Sequence, residues 1–221
     1  MLKYFGLVLG IACVSISCYA KPTRGIINRP IPFPEKRKAL TLQYMKERYN
    51  MNASNITIVP QLILIHWTAV GDLQSCFRAF TPPTLSGGRD DIAGSSLNVS
   101  AHFLVDRDGT IYRLMPEVWM ARHVIGLNHC AIGIENVGGV KGVQDLTQDQ
   151  LEANAYLVKY LKEKYPTIRY LAGHYEYRRF EGSALWKEKK ETPRTTKQDP
   201  GPKFMHALRQ KVKELGFTSL P

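Results

Sequence analysis

The 221-residue sequence contains only four cysteines, and two of them, Cys13 and Cys18, lie in the apolar N-terminal segment. A chain of this length buries a sizeable core without disulfides, so the fold does not depend on them. The residues leave open whether Cys76 and Cys130 pair or stay as two buried thiols. The sequence also has no internal repeat, no pair of C-x-x-C motifs and no H-E-x-x-H motif. No short metal-binding signature is therefore present.

Acidic residues are in short supply, with 19 Asp plus Glu against 30 Lys plus Arg and a formal net charge of +11. A strongly basic chain favours polyanionic partners such as nucleic acid, anionic lipid or an acidic cell-wall polymer, and charge alone does not choose among them. With 44% apolar and 22% charged residues, the composition is that of an ordinary globular protein and excludes disordered, collagen-like and coiled-coil chains. The length favours one domain.

No apolar run reaches the roughly 20 residues that span a bilayer. The longest, residues 5–16, follows Lys3 and precedes small residues that end at Ala20. This pattern predicts a signal peptide over residues 1–20, cleaved after Ala20, and therefore a secreted or periplasmic protein with no stable membrane insertion after cleavage. Neither cysteine of this segment has an aliphatic residue three positions earlier, so we do not expect a lipoprotein anchor.

The mature chain begins with a proline-rich stretch, and we predict an extended leader and an N-terminal helix over residues 21–58, with the helix near Glu35–Tyr49. Short and almost wholly apolar runs at 61–67, 131–137 and 167–172 predict buried strands of the kind covered on both faces. Residues 71–98 are rich in Gly, Pro, Ser and Asp, which predicts a long loop with one helical turn at most.

Turn and capping signals supply the remaining elements. Asp-Gly at 108–109 between two apolar runs predicts a β-hairpin. Thr147–Gln150 is typical of a capping box that starts a helix running to about Lys164, and a last helix is expected over Lys203–Leu215. The predicted fold class is therefore α/β, a single domain with a central mixed sheet flanked by helices.

His66, Glu135 and His174 each lie at or near the end of a predicted strand. Strand ends that open into loops are where α/β folds assemble their sites. These residues are far apart in the sequence, however, and a histidine taken singly is more often structural or on the surface. The residues alone indicate only a possible site.

Six segments in a fixed order strengthen that indication. They are Leu64–Thr68, Val99–Gly109, Ala121–His123, Asn128–Glu135, Ala172–His174 and Lys197–Pro202. In this combination the chain resembles the type 2 family of zinc-dependent N-acetylmuramoyl-L-alanine amidases, which also contains the peptidoglycan recognition proteins and phage amidase lysozymes. The resemblance implies the same fold, with the zinc amidase domain over residues 59–216 and a C-terminal tail over 217–221.

The resemblance implies that His66, His174 and Asp199 bind one catalytic Zn²⁺. Two imidazoles and one carboxylate leave a fourth position for water, as in catalytic rather than structural zinc sites. Glu135 matches the family's catalytic glutamate, which takes a proton from that water. Lys197 matches a lysine that faces the substrate carbonyl, where a cation stabilises the oxyanion.

Two further positions are expected to bind substrate. His123 matches a family histidine near the cleft and would contact the substrate or the oxyanion. Asn128 matches a recurrent asparagine for which a structural role in a turn is an equal alternative. We expect His102 to be a hydrogen-bonded core residue. The basic run between His174 and Lys197 is either a solvated loop or a wall that faces substrate carboxylates.

The implied function is a secreted hydrolase that cuts the amide between the lactyl group of N-acetylmuramic acid and L-alanine, in peptidoglycan or in muropeptides. The alternative is a recognition protein that binds peptidoglycan without cutting it. Nucleic-acid binding is not expected, because basicity is its only support. We expect a monomer.

Overall fold

The computed structural model describes residues 25–85, 95–189 and 194–221. Its strands are β1 (Ile26–Asn28), β2 (Leu62–Trp67), β3 (Phe103–Val105), β4 (Ile111–Arg113), β5 (Ala131–Asn136) and β6 (Tyr170–Gly173). Its α-helices are α1 (Glu35–Tyr49), α2 (Leu73–Phe80), α3 (Gln148–Lys164) and α4 (Pro202–Lys211). Short 3-10 helices cover Val140–Gly142, His174–Phe180 and Lys213–Leu215.

The described strands form one six-stranded sheet in the order β1-β4-β3-β5-β2-β6. The hairpin pair β3 and β4 is antiparallel, and the other neighbours are parallel. The sheet is therefore mixed, as the sequence predicts, and the hairpin lies where Asp-Gly places it. Among the residues that the structure describes, no helix is long and apolar enough to cross a membrane.

Successive side chains of the central strands point to opposite faces of the sheet and pack into two separate hydrophobic cores. Ile63 and Ile65 of β2 pack with Ile132 and Ile134 of β5 against α3 and α4. On the other face, Leu62, Leu64, Ala131 and Ala172 pack with apolar residues from 124–127 and from the 3-10 helix after β6. The strands are buried on both faces, which explains their nearly continuous apolar runs.

The N-terminal region packs onto this domain. β1 lies parallel to β4 at the edge of the sheet, so part of the predicted extended leader is a strand. α1 covers residues Glu35–Tyr49, as the sequence predicts. Its buried face carries Tyr44, Met45 and Tyr49, which pack in the core cluster that also contains Ile58 and Met120.

The prediction of a loop with at most one helical turn over 71–98 is wrong in one respect, because α2 is an eight-residue helix. The Asp72 side chain accepts a hydrogen bond from Ser75 N at 2.8 Å and so caps the first turn. The helix then buries Cys76, Phe77 and Phe80. Residues 86–94 of the predicted loop lie outside the described residues, as does the predicted signal peptide.

The other predicted helices are present. α3 begins after Thr147 with the expected capping box, in which Thr147 accepts from Gln150 N and Gln150 accepts from Thr147 N. The last helix ends at Lys211, earlier than predicted, and a 3-10 turn continues to Leu215. Cys76 and Cys130 are buried free thiols.

A buried amide network connects α3 to the end of β2. Asn136 Nδ2 donates to the backbone oxygen of His66 at 2.9 Å, and Asn154 Nδ2 donates to Asn136 Oδ1 at 2.6 Å. Gln150 Nε2 donates to Val137 O at 2.8 Å. Because every one of these groups is buried and hydrogen-bonded, the network holds the ends of β2 and β5 from the side opposite the site.

Candidate functional site

Three adjacent parallel strands, β6, β2 and β5, carry the predicted site residues at their carboxyl ends. His66 of β2 lies in register with Glu135 of β5. His174 directly follows β6, two residues beyond Ala172, which pairs with Leu64. Since paired positions of parallel strands face the same side, the sheet brings these residues to one edge and one face.

Asp199 joins them from the segment that leads into α4. Its backbone oxygen accepts a hydrogen bond from Tyr175 N at 2.9 Å, which ties this segment to the turn after β6. Asp199 Oδ2 lies 3.1 Å from His66 Nδ1 and 3.0 Å from His174 Nδ1. The two Nδ1 atoms are themselves 3.0 Å apart. The structure thus brings the three predicted metal ligands together, although 133 residues separate the ends of the set.

The protonation of this triangle suits a cation. His66 is only 2% exposed, and burial, reinforced by neighbouring His174, lowers its pKa to about 4, so its ring is neutral at neutral pH. Burial opposes ionisation of Asp199, but the two histidines more than offset it and hold the pKa of that carboxyl below its usual range. A neutral imidazole and an ionised carboxyl thus face each other at this point, next to the ring of His174. A divalent ion with nitrogen and oxygen ligands, such as Zn²⁺, fits this set.

Glu135 stands beside the triangle with little hydrogen-bonding support. Its Oε2 atom is buried, and no described residue donates a hydrogen bond to it. Burial and then the charge of Asp199 raise the pKa of this carboxyl well above its ordinary value. Buried polar groups are usually hydrogen-bonded, so an unpartnered carboxylate in a cavity is a candidate acid or base.

Lys197 reaches the same cavity from the segment that carries Asp199. The two residues are two positions apart and are not in a helix, so one stretch of backbone delivers a ligand and a cation to the site. The role of Lys197 toward the substrate carbonyl stays a prediction.

His123 contacts the Nε2 side of His66, one of the predicted metal ligands. Its Nδ1 lies 3.0 Å from His66 Nε2, and its Nε2 lies 3.3 Å from the backbone oxygen of Ala131. Burial, followed by the nearby His66, lowers the pKa of His123 well below its ordinary value. His123 also lines the cavity, and its predicted substrate contact stays a prediction.

Asn128 is fully buried, and its amide holds a turn. Its Oδ1 accepts hydrogen bonds from the backbone nitrogens of His123 and Val124, both at 2.8 Å, and its Nδ2 donates to Tyr44 Oη at 3.4 Å. These bonds give Asn128 the structural role that the sequence left as an alternative, and they position the backbone of His123. Its contact with substrate stays a prediction.

His102 is a buried core residue, as the sequence predicts. Its Nδ1 accepts from Gly133 N at 3.0 Å and its Nε2 donates to Trp119 O at 2.8 Å. It lies outside the lining of the cavity.

A cavity of about 310 Å³ opens over the site, within the usual range for small-ligand pockets. Besides the site residues, its lining includes Tyr44, Arg48, Cys76, Phe80, Val99, Ser100, Arg122 and Tyr177. Residues from α2 and from 99–100 thus form one wall.

α1 also contributes to this cavity, which the sequence pattern does not predict. Tyr44 and Arg48 are four residues apart and so share one helix face, which is the one signal available in the sequence. Arg48 pairs with Glu188 at 2.9 Å, and both side chains are buried. The predicted basic wall between His174 and Lys197 therefore supplies a buried carboxylate to α1 as well as exposed cations.

Comparisons with known proteins agree with this geometry. The sequence profile described as N-acetylmuramoyl-L-alanine amidase matches residues 46–202, well over half of the chain. No curated protein matches the chain significantly.

Solved structures share the fold. The amidase LysC from Clostridium intestinale URNW superposes with a TM-score of 0.50 at 21% identity, over 86% of this chain and 99% of that one. A selenomethionine derivative of AmpD gives 0.51 at 23% identity, over 87% and 94%. Bumblebee PGRP-SA gives 0.50 at 19% identity, over 90% and 100%. Together with the profile match, this shows that the chain belongs to the type 2 N-acetylmuramoyl-L-alanine amidase family.

Proposed function

We propose that this protein is a secreted zinc hydrolase that cleaves the amide between the lactyl group of N-acetylmuramic acid and L-alanine. The observation that carries the proposal is Glu135 Oε2, buried and without a hydrogen-bond donor among the described residues, beside the triangle of His66, His174 and Asp199. A protein that only bound peptidoglycan would gain nothing from a costly unpartnered carboxyl at that place.

His66, His174 and Asp199 would hold the zinc through two Nδ1 atoms and one carboxylate oxygen. When bound, zinc supplies a Lewis acid that lowers the pKa of a water toward about 7 and polarises the amide carbonyl. Glu135, in its ionised form, accepts a proton from the attacking water and passes it to the leaving nitrogen. Lys197 places a positive charge in the cavity, where it stabilises the oxyanion. The C–N bond breaks, a C–O bond forms, and the products are the lactyl carboxylate and the amine of L-alanine.

The charge of the cavity supports a peptide substrate with free carboxylates. Arg122 and Lys197 line it beside Glu135 and Asp199, Arg48 lines it already paired with Glu188, and the whole chain carries a net charge of +11. Arginine and lysine favour carboxylate ligands by charge-assisted hydrogen bonds. Stem peptides of peptidoglycan or muropeptides meet this requirement, and export through the signal peptide at residues 1–20 would bring the protein to them. We propose that it acts there as a monomer.

The test is the position of the cut. A disaccharide muropeptide incubated with the purified zinc-loaded protein should give two products by mass spectrometry, the free disaccharide with an intact lactyl group and a peptide that begins with L-alanine. Saturable binding without any product would favour the non-catalytic recognition alternative. Cleavage between two amino acids of the stem would overturn the proposed bond specificity.

A further inference from the structure

We infer that His123 is a positioning residue that fixes the tautomer of His66, leaving the Nδ1 lone pair of His66 free to bind the metal. The inference rests on the metal centre proposed above and assigns to His123 a function beyond substrate contact. Its support is a chain of hydrogen bonds that starts at a backbone carbonyl and ends in the ligand triangle.

The backbone oxygen of Ala131 fixes which atom donates in each of these hydrogen bonds. A carbonyl oxygen only accepts, so the 3.3 Å contact between His123 Nε2 and Ala131 O requires a proton on His123 Nε2. In the neutral ring His123 Nδ1 then carries a lone pair, and at 3.0 Å it accepts from His66 Nε2. The proton of neutral His66 is thereby held on Nε2. Its Nδ1 presents a lone pair to the triangle.

The opposite tautomer would disable the centre. A proton on His66 Nδ1 would occupy the position from which this ring faces Asp199 and His174. Ligand histidines in metal sites commonly donate their second N–H to an acceptor behind them, and loss of that acceptor costs about 10–100-fold in metal affinity. His123 provides the acceptor here.

Packing leaves the His123 ring little room to turn away. It lies over Gly133 in the middle of β5, where a Cβ would come within 2.8 Å of both Cγ and Nδ1 of the ring. It meets the His66 ring edge to face, with centroids 5.1 Å apart. Its backbone nitrogen is held by Asn128. Glycine weakens a strand interior, so its presence at 133 is explained by the close approach of this ring.

A matched pair of variants separates the effect of losing the hydrogen-bond acceptor at position 123 from the effect of changing the side-chain shape. In His123→Asn an amide oxygen can take the place of Nδ1, whereas His123→Leu has a similar branched shape and no acceptor. Zinc affinity of each, measured by competition with a chromophoric chelator, should fall by about 10–100-fold in the leucine variant and stay within a few-fold in the asparagine variant. Excess zinc should restore the activity of the leucine variant. A substrate-contact role would leave that activity low at any zinc concentration.

The tautomer can be read in the unaltered protein without metal. Nitrogen-15 NMR of the histidine rings should show His66 protonated on Nε2. Gly133→Ala, which presses on the His123 ring and changes no polar side chain, should weaken zinc binding as well. Protonation of His66 on Nδ1, or equal zinc affinity in the two His123 variants, would overturn the inference. Absence of zinc binding by the unaltered protein would instead overturn the proposed metal centre, and the NMR result would still decide the tautomer.

Discussion

Glu135→Gln should lower kcat for muropeptide hydrolysis by about 10²–10⁴-fold while the protein keeps its zinc. The amide has nearly the shape of the carboxyl but cannot accept the proton of the attacking water. Because Glu135 is outside the ligand triangle, metal content should not change. The measurements are steady-state hydrolysis and elemental analysis of the same preparation. Glu163→Gln, an exposed change on α3, is the matched control.

The same variant should be more stable than the unaltered protein at pH 7 when both are free of metal, by about 0.5–2 kcal/mol. The folded-state pKa of Glu135 is raised above its ordinary value of 4.5 by burial and by Asp199. Below pH 4.5 the carboxyl is protonated in both the folded and unfolded chains, so the variant gains nothing there. As pH rises, the unfolded carboxyl ionises first and the unaltered protein loses stability.

Urea unfolding at pH 4 and pH 7 checks this difference. An unchanged rate of hydrolysis in Glu135→Gln would contradict its role as the base. Equal stability of the two proteins at both pH values would show that the carboxyl is not held at a cost in the folded chain.

Asp199→Ala should lose both zinc and hydrolysis. It removes the one carboxylate ligand and leaves only the two imidazoles. Loss of a residue behind a ligand costs about 10–100-fold in metal affinity, and we expect loss of the ligand itself to cost more. The backbone oxygen that binds Tyr175 N is still present, which favours a folded variant. Elemental analysis after gel filtration should find about one zinc per chain in the unaltered protein and in Glu163→Gln, and almost none in Asp199→Ala.

Circular dichroism and a thermal melt of the metal-free proteins provide the folding control. A folded Asp199→Ala variant with a full complement of zinc would show that the ligand assignment is incorrect.

Much of the fold, and the convergence of His66, His174 and Asp199, could be predicted from the sequence. Apolar runs in the sequence predict β2 and β5. These strands are buried on both faces, so most of their residues are apolar and the pattern is easy to recognise. His66 and Glu135 could be placed at strand ends. That they lie in register on adjacent strands depends on strand order, which the pattern of residues does not encode. The family resemblance supplied that link.

Other elements gave weaker signals. β1 is three residues long and has a proline-rich stretch after it, so nothing distinguished it from an extended leader. α2 lies in a segment rich in glycine and proline, and its cap at Asp72 is a common loop residue. For both, contact with the rest of the chain decides the structure: β1 pairs with β4, and α2 buries Phe77 and Phe80.

The site also contains relations that only three-dimensional packing could reveal. Tyr44 and Arg48 face the cavity because α1 packs over it, about 20 residues before the first predicted ligand in the sequence. The contact of His123 with His66 depends on the absence of a side chain at Gly133. Neither relation follows from spacing along the chain.

The most direct test of the account is the zinc dependence of turnover by the unaltered protein. Dialysis against a strong chelator should bring muropeptide hydrolysis down to the background rate, and stoichiometric zinc should restore it. Hydrolysis at an undiminished rate by protein in which elemental analysis finds no metal would contradict the assignment of His66, His174 and Asp199 as a catalytic metal centre.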